Sequence, residues 1–145
     1  MSIGRIESAL TLGGAILAVI WDDGRRSEID LSGIVGRRAA LAPLADPEIF
    51  CCIRVSDDGW SVEWPDCGID FGSPQLRRWA DEQEGEAMPA PDFRAWMERH
   101  GLTRDAAAEA LGLSRRTIGY YLRGEQPVPK TVMLATEGYD GRQAA

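Results

Sequence analysis

Apolar residues recur at helical spacing through the last third of this chain, whereas earlier they fall in short runs broken by turns. Phe93, Trp96 and Met97 would share one face of a helix that Asp92 can cap and Gly101 can end in the left-handed conformation. Thr103 opens a second helix that buries Ala107, Ala108 and Leu111 and stops at Gly112. Ser114 opens a third, whose stripe is Ile118, Tyr121 and Leu122. A fourth is expected from Pro129 to Glu137, with Val132, Met133 and Leu134 inward, Gly138 as terminator and a frayed tail beyond.

The earlier part reads as strand and turn. Ala15 to Trp21 is an apolar, partly β-branched run, and Asp22-Asp23-Gly24 would turn the chain back through Ser27 to Leu31. A second Asp-Asp-Gly, at Asp57 to Gly59, separates Cys52–Val55 from the alternating Trp60–Trp64 stretch. Asp46 before Pro47 and Ser73 before Pro74 each announce a short helix: a side-chain oxygen to cap it and a proline preset for its first turn. The pattern predicts an α+β domain of antiparallel hairpins and short helices over 1–81. A polar linker at 82–91 (EQEGEAMPAP) and an all-α helix-turn-helix domain over 92–145 follow.

Composition changes this picture at one point. The net charge of −7 looks unfavourable for contact with a polyanion until it is divided along the chain. Residues 1–91 carry 8 arginines against 16 carboxylates, and residues 92–145 carry 8 basic side chains against 7 acidic ones. The acid belongs to the first part. With a Debye length of about 8 Å at physiological salt, charge on a separate domain is largely screened at the third helix.

That helix is polarised. At about 100° per residue, Arg116, Gly119, Tyr120 and Arg123 fall opposite Ile118, Tyr121 and Leu122, with Arg115 at the edge. An arginine near the start of such a helix can present two parallel donors to guanine O6 and N7, discriminating by about 1–3 kcal/mol. Gly119, costing about 1 kcal/mol against alanine in a helix, suggests a close approach by DNA or by the neighbouring helix.

The stretch Leu102–Lys130, LTRDAAAEALGLSRRTIGYYLRGEQPVPK, resembles the phage-repressor (Cro/cI-like) helix-turn-helix family in its capped second helix, Gly112 at the turn, Ser114 opening the third helix, and Gly124. The resemblance implies that Arg115, Arg116 and Tyr120 read base edges. By the same resemblance Arg104 and Lys130 contact phosphates, and Thr103, Ser114, Thr117 and Arg123 are expected to contact phosphates beside them. It departs from the family in Ala106 and Ala107, where larger residues are frequent. The expected partner is double-stranded DNA, bound by a homodimer.

Leu12–Trp79 resembles an uncharacterised family of small bacterial α+β domains, through Asp22–Gly24, Asp30-Leu31-Ser32, Pro43-Leu44, Asp46-Pro47, Phe50 and Glu63-Trp64-Pro65. Members are often encoded beside small toxin-like proteins, which implies an antitoxin role with a small basic partner as the alternative function.

No catalytic site, metal or cofactor is expected. Of the carboxylates Asp22, Asp23, Asp57, Asp58, Glu63, Asp66 and Asp70, four lie in Asp-Asp-Gly turns, where solvation explains them. Trp21, Trp60, Trp64 and Trp79 read as core or interface aromatics. Cys51, Cys52 and Cys67 lack metal-ligand spacing and read as buried reduced thiols, and His100 reads as a partner of a helix C-terminus. The longest apolar run, Ala15–Trp21, is far short of the roughly 20 residues of a membrane span. No signal-peptide start precedes it, so the expected location is the cytoplasm.

Overall fold

The computed structural model describes residues 4–144, which divide between Gln83 and Glu84 into two compact units. In the first unit β1 (Ile6–Leu12), β2 (Ile16–Trp21) and β3 (Arg26–Asp30) form an antiparallel sheet in the order β1-β2-β3. The Asp22–Gly24 turn sets Ile20 opposite Arg26 and Ile16 opposite Asp30. With that register Ser27 and Ile29 point inward and Arg26, Glu28 and Asp30 outward, the two-residue period of a half-buried strand. The Trp21 indole N–H donates to the buried Ser27 hydroxyl at 2.9 Å, so neither polar group is left unpaired in the core.

Helix α1 (Ser32–Arg37), a 3-10 helix (Ala39–Ala45) and α2 (Pro47–Phe50) follow. Asp46 caps α2, accepting from the Glu48 N–H at 3.0 Å with Pro47 in the first turn. A second antiparallel sheet, β4 (Arg54–Val55), β5 (Ser61–Trp64) and β6 (Ile69–Gly72), leads into α3 (Ser73–Gln83). The end of α3 is tied to β3: the Gln83 amide accepts from the Asp30 N–H at 2.8 Å and donates to the Asp30 carbonyl at 2.9 Å. Leu17, Val19, Trp21, Ile29, Leu31, Val62, Trp64 and Leu76 form the centre of one buried cluster.

Two expectations for this unit are corrected. Ser73 does not cap α3; it is its first residue, fully buried, with its hydroxyl unpaired among the described residues. Cys51 and Cys52 are exposed rather than buried, and both thiols donate to the Glu48 carbonyl at 3.3 Å, because they follow the last turn of α2 where that carbonyl is free.

In the second unit a two-residue ladder, β7 (Ala87–Met88) with β8 (Val128–Pro129), brackets α4 (Ala90–Arg99), α5 (Arg104–Leu111) and α6 (Arg115–Arg123). Helix α7 (Lys130–Ala144) follows. The stretch 82–91 therefore carries structure of its own: α3 extends to Gln83, and Ala87 is buried and paired. Helix α4 begins after extended Pro89 with no side-chain cap; Asp92, expected as the cap, instead sits inside its first turn, a favourable place for a carboxylate on the dipole.

Helix α7 starts at Lys130 and runs through Gly138, where a terminator was expected. Contacts made beyond that glycine hold the extra turns. Tyr139 packs edge-on against Trp96 and His100, with ring centroids 5.5 and 4.9 Å apart, and Asp140 pairs with Arg99 at 3.1 Å and with His100 at 2.6 Å. Together these contacts outweigh the roughly 1 kcal/mol helix penalty of a glycine. The His100 hydrogen bond, then the Arg99 charge, holds the Asp140 carboxyl below the ordinary carboxylate range. The inward face of α7 is Val132 and Thr136, whereas Leu134 is 51% exposed, not inward as its apolar character suggested.

Candidate nucleic-acid interface

The corner between α5 and α6 is built from local chemistry. The Thr103 hydroxyl oxygen accepts from the Ala106 N–H at 3.1 Å and starts α5. Gly112 ends it at φ 69°, a conformation that a Cβ would strain, and the Leu113 N–H returns to the Ala108 carbonyl at 2.9 Å. Ser114 then accepts from the Thr117 N–H at 3.1 Å and starts α6. Only Gly112, Leu113 and Ser114 separate the helices, as in a helix-turn-helix.

The inner face of α6 is fixed by packing. Ile118 is fully buried beside Phe93, Trp96, Ala107 and Ala108, and Tyr121 meets Phe93 edge-on at 5.5 Å. Burial pushes the Tyr121 hydroxyl up from its usual range. Arg94 of α4 donates to the Leu122 carbonyl at 2.9 Å and pins the end of α6, which closes at Gly124. Ala107 is itself fully buried, and the large α4 aromatics in the same cluster fill the volume.

The outer face carries the expected residues. Arg115, Arg116 and Arg123 are exposed, and Tyr120 is half-buried between two guanidiniums, Arg116 at 5.3 Å and Arg123 at 5.6 Å from its ring centroid. Arg116 also donates its Nε–H to the Tyr120 hydroxyl. Arg115 lies 3.6 Å from Asp105, Arg123 2.8 Å from Glu125, and Lys130 3.3 Å from Glu86. The Arg123 hydrogen bond holds the Glu125 carboxyl below its ordinary range. Exposed pairs of this kind contribute about 0–1 kcal/mol each, so a phosphate can displace the carboxylate.

Arg104 is exposed in the first turn of α5. Thr103 and Ser114 use their oxygens as caps, and the Ser114 and Thr117 hydroxyls bond each other at 2.9 Å, one donating to the other. Accepting a cap bond leaves the Thr103 proton available, and the Ser114–Thr117 pair uses one of its two. A Cβ built on Gly119 would stand 3.0 Å from the Arg123 guanidinium. What approaches Gly119 is thus a side chain of the same helix. Sequence alone did not reveal the carboxylate partners of Arg115 and Lys130, which are 10 and 44 residues away.

The first unit contains a cavity of about 550 Å³, lined mainly by Leu12, Val35, Leu44, Pro47, Phe50 and Cys51. None of the seven carboxylates considered above lines it. Asp58 instead closes its own turn: the Ser56 hydroxyl donates to it at 2.7 Å and the Trp60 N–H at 3.0 Å, which lowers its pKa. Among the described residues no group of three or more His, Cys, Asp or Glu side chains could hold a metal ion, and no helix is long and apolar enough to cross a membrane.

Residues 92–136 match the family model described as "Helix-turn-helix domain", and residues 7–82 match that of "Protein of unknown function (DUF2442)". The crystal structure of "Putative DNA Binding Protein NE0471" from Nitrosomonas europaea is similar over 94% of this chain and 86% of that one, at 34% identity and a TM-score of 0.55. A protein of unknown function from Rhodospirillum rubrum matches 50% of this chain and 83% of its own, at 18% identity and a TM-score of 0.38. No match is found among curated proteins. The chain belongs to the DUF2442 family, with a helix-turn-helix domain as its second unit.

Proposed function

We propose that this protein is a sequence-specific regulator of transcription that binds double-stranded DNA, with α6 in the major groove. The observation that carries the reading is the surface of exposed Arg115, Arg116 and Arg123 around half-buried Tyr120, on a helix anchored from behind by Ile118 and Tyr121. The helix-turn-helix match and the name of the Nitrosomonas protein support it. So does the likeness of Leu102–Lys130 to phage repressors, which are read as dimers on half-sites about 34 Å apart. On this reading Arg104, Arg123 and Lys130 meet phosphates, with the hydroxyls of Thr103, Ser114 and Thr117 beside them. With so few cations, nonspecific affinity is low.

Replacing Arg115 and Arg116 together by alanine should abolish selection of a preferred sequence from a random DNA pool, since one good bidentate contact is worth about 1–3 kcal/mol. The fold should persist, because both side chains are exposed. Unchanged selectivity in the double variant would refute the reading.

The acidity of the first unit favours a second role, compatible with the first: binding a small basic, toxin-like protein while the second unit regulates the shared operon. Such a complex should weaken steeply with added salt when the full-length chain is titrated with the basic product of an adjacent gene. Absence of binding at low salt would remove this reading.

A further inference from the structure

The three arginines of α6 are not equivalent. Arg115 directs its Nε toward Asp105, and Arg123 engages Glu125 through both Nε and one Nη. Among the described residues Arg116 has no carboxylate partner; its Nε–H donates to the Tyr120 hydroxyl one turn along the helix. A guanidinium carries five N–H donors in a planar fork. With Nε committed to Tyr120, the edge formed by the two Nη nitrogens stays open, and that edge can meet guanine O6 and N7 in parallel.

Tyr120 is in turn fixed from its other neighbour. Arg123 lies 5.6 Å from its ring centroid, and the Arg123 guanidinium covers Gly119, where any larger residue would push it away. In the free protein Glu125 accepts from that guanidinium at 2.8 Å. Glu125, just beyond α6, and Arg123, Tyr120 and Arg116 on its outer face thus form a row of contacts that ends at Arg116, which among the described residues has no carboxylate partner.

The geometry points to Arg116 as the guanine reader and to Tyr120 as its positioning residue, not as a reader of a base itself. The preferred DNA therefore contains a guanine in each half-site, specified through Arg116. This rests on the DNA-binding reading above and adds to it a division of labour within α6. An arginine held in place loses less rotamer freedom on binding, so Tyr120 contributes to discrimination without touching the duplex.

The test uses the full-length protein, selection from a random DNA pool, and the variants Arg116→Ala, Arg116→Lys, Tyr120→Phe and the double Arg116→Ala/Tyr120→Phe. Arg116→Ala should lower preference for one guanine about tenfold or more. Arg116→Lys should keep overall affinity but lose the same preference, since an ammonium has no fork. Tyr120→Phe keeps the ring and removes the acceptor, and should lower preference about two- to tenfold at that same guanine. The double variant should be no worse than Arg116→Ala.

In the free protein the Arg116 Nε–H resonance should be protected from exchange and lose that protection in Tyr120→Phe. A Tyr120→Phe effect at a different base, or one that adds to that of Arg116→Ala, would overturn the positioning role. So would an unprotected Arg116 Nε–H in the wild type. A wild type that enriches no sequence at all would overturn the DNA reading itself, an outcome distinct from a selective wild type whose Tyr120→Phe variant selects identically.

Discussion

Replacing Trp64 by alanine is expected to destabilise the first unit by about 3–5 kcal/mol, the range for truncating a fully buried large aromatic. Trp64 is 1% exposed on β5, stacked against Phe50 at 5.8 Å and meeting Phe71 edge-on at 5.5 Å. Phe71 continues the contact to Trp79 on α3 at 5.1 Å, so a run of aromatic contacts with Trp64 inside it links α2, β5, β6 and α3. The Trp64 indole N–H also donates to the Phe50 carbonyl at 2.8 Å, an acceptor at the end of α2 that has no further helical turn to satisfy it.

Trp64→Phe separates the two contributions. It retains much of the ring volume and loses the donor, so it should cost less than the alanine variant, about 1–3 kcal/mol for the stranded acceptor. Since domain stability is commonly about 5–15 kcal/mol, and this unit is small, Trp64→Ala leaves little margin. Denaturant unfolding followed by hydrogen exchange of the β5 and β6 amides measures it. A change below about 1 kcal/mol for the alanine variant would contradict the packing account.

Which parts of the fold were legible in the sequence follows from what holds each part together. The helix starts at Thr103 and Ser114 and the stops at Gly101 and Gly112 were readable, because a cap is satisfied within a few residues of itself. The Asp22–Gly24 hairpin was readable for the same reason. Strand β1 was not: IESALTL shows no clean alternation, and only Ile6 is fully buried on this edge strand. The ladder between Ala87–Met88 and Val128–Pro129 joins residues some forty positions apart; Ala87 and Met88 lay in the stretch read as linker, and Pro129 was read as the start of a helix. Helix α7 passed Gly138 because of Trp96, His100 and Arg99 on another helix, which no local pattern encodes.

The candidate site divides along the same line. The outward placement of Arg115, Arg116, Tyr120 and Arg123 was fixed by helix geometry once Ile118 and Tyr121 were taken as core. Gly119 was read as a close approach by DNA or by the neighbouring helix, whereas the group that covers it is Arg123 of its own helix, because a helix wheel carries no side-chain reach. Nor could the wheel distinguish an arginine facing Asp105 from one facing Tyr120, a distinction that separates two neighbouring cations into different roles.

Ile118→Ala should act on DNA binding by a route opposite to that of the arginine variants. Ile118 is fully buried at the centre of α6, among Phe93, Trp96, Ala107, Ala108 and Tyr121, and its truncation should cost about 2–5 kcal/mol. Ile118→Val, which removes one methylene, should cost about 0.5–1.5 kcal/mol. In a unit of this size the alanine variant populates unfolded chain near room temperature, and apparent affinity falls in proportion to the folded fraction. The outer surface is untouched, so whatever folds still prefers the same sequence. Saturating operator DNA should accordingly restore part of the lost stability, because it binds only the folded form. Arg115→Ala/Arg116→Ala should show the reverse: unfolding close to wild type, with sequence preference gone even when every molecule is folded. Measuring denaturant midpoint and pool selectivity on both variants distinguishes a helix that must be held in place from the side chains it presents. An Ile118→Ala protein that remains fully folded yet selects a different sequence would break that separation.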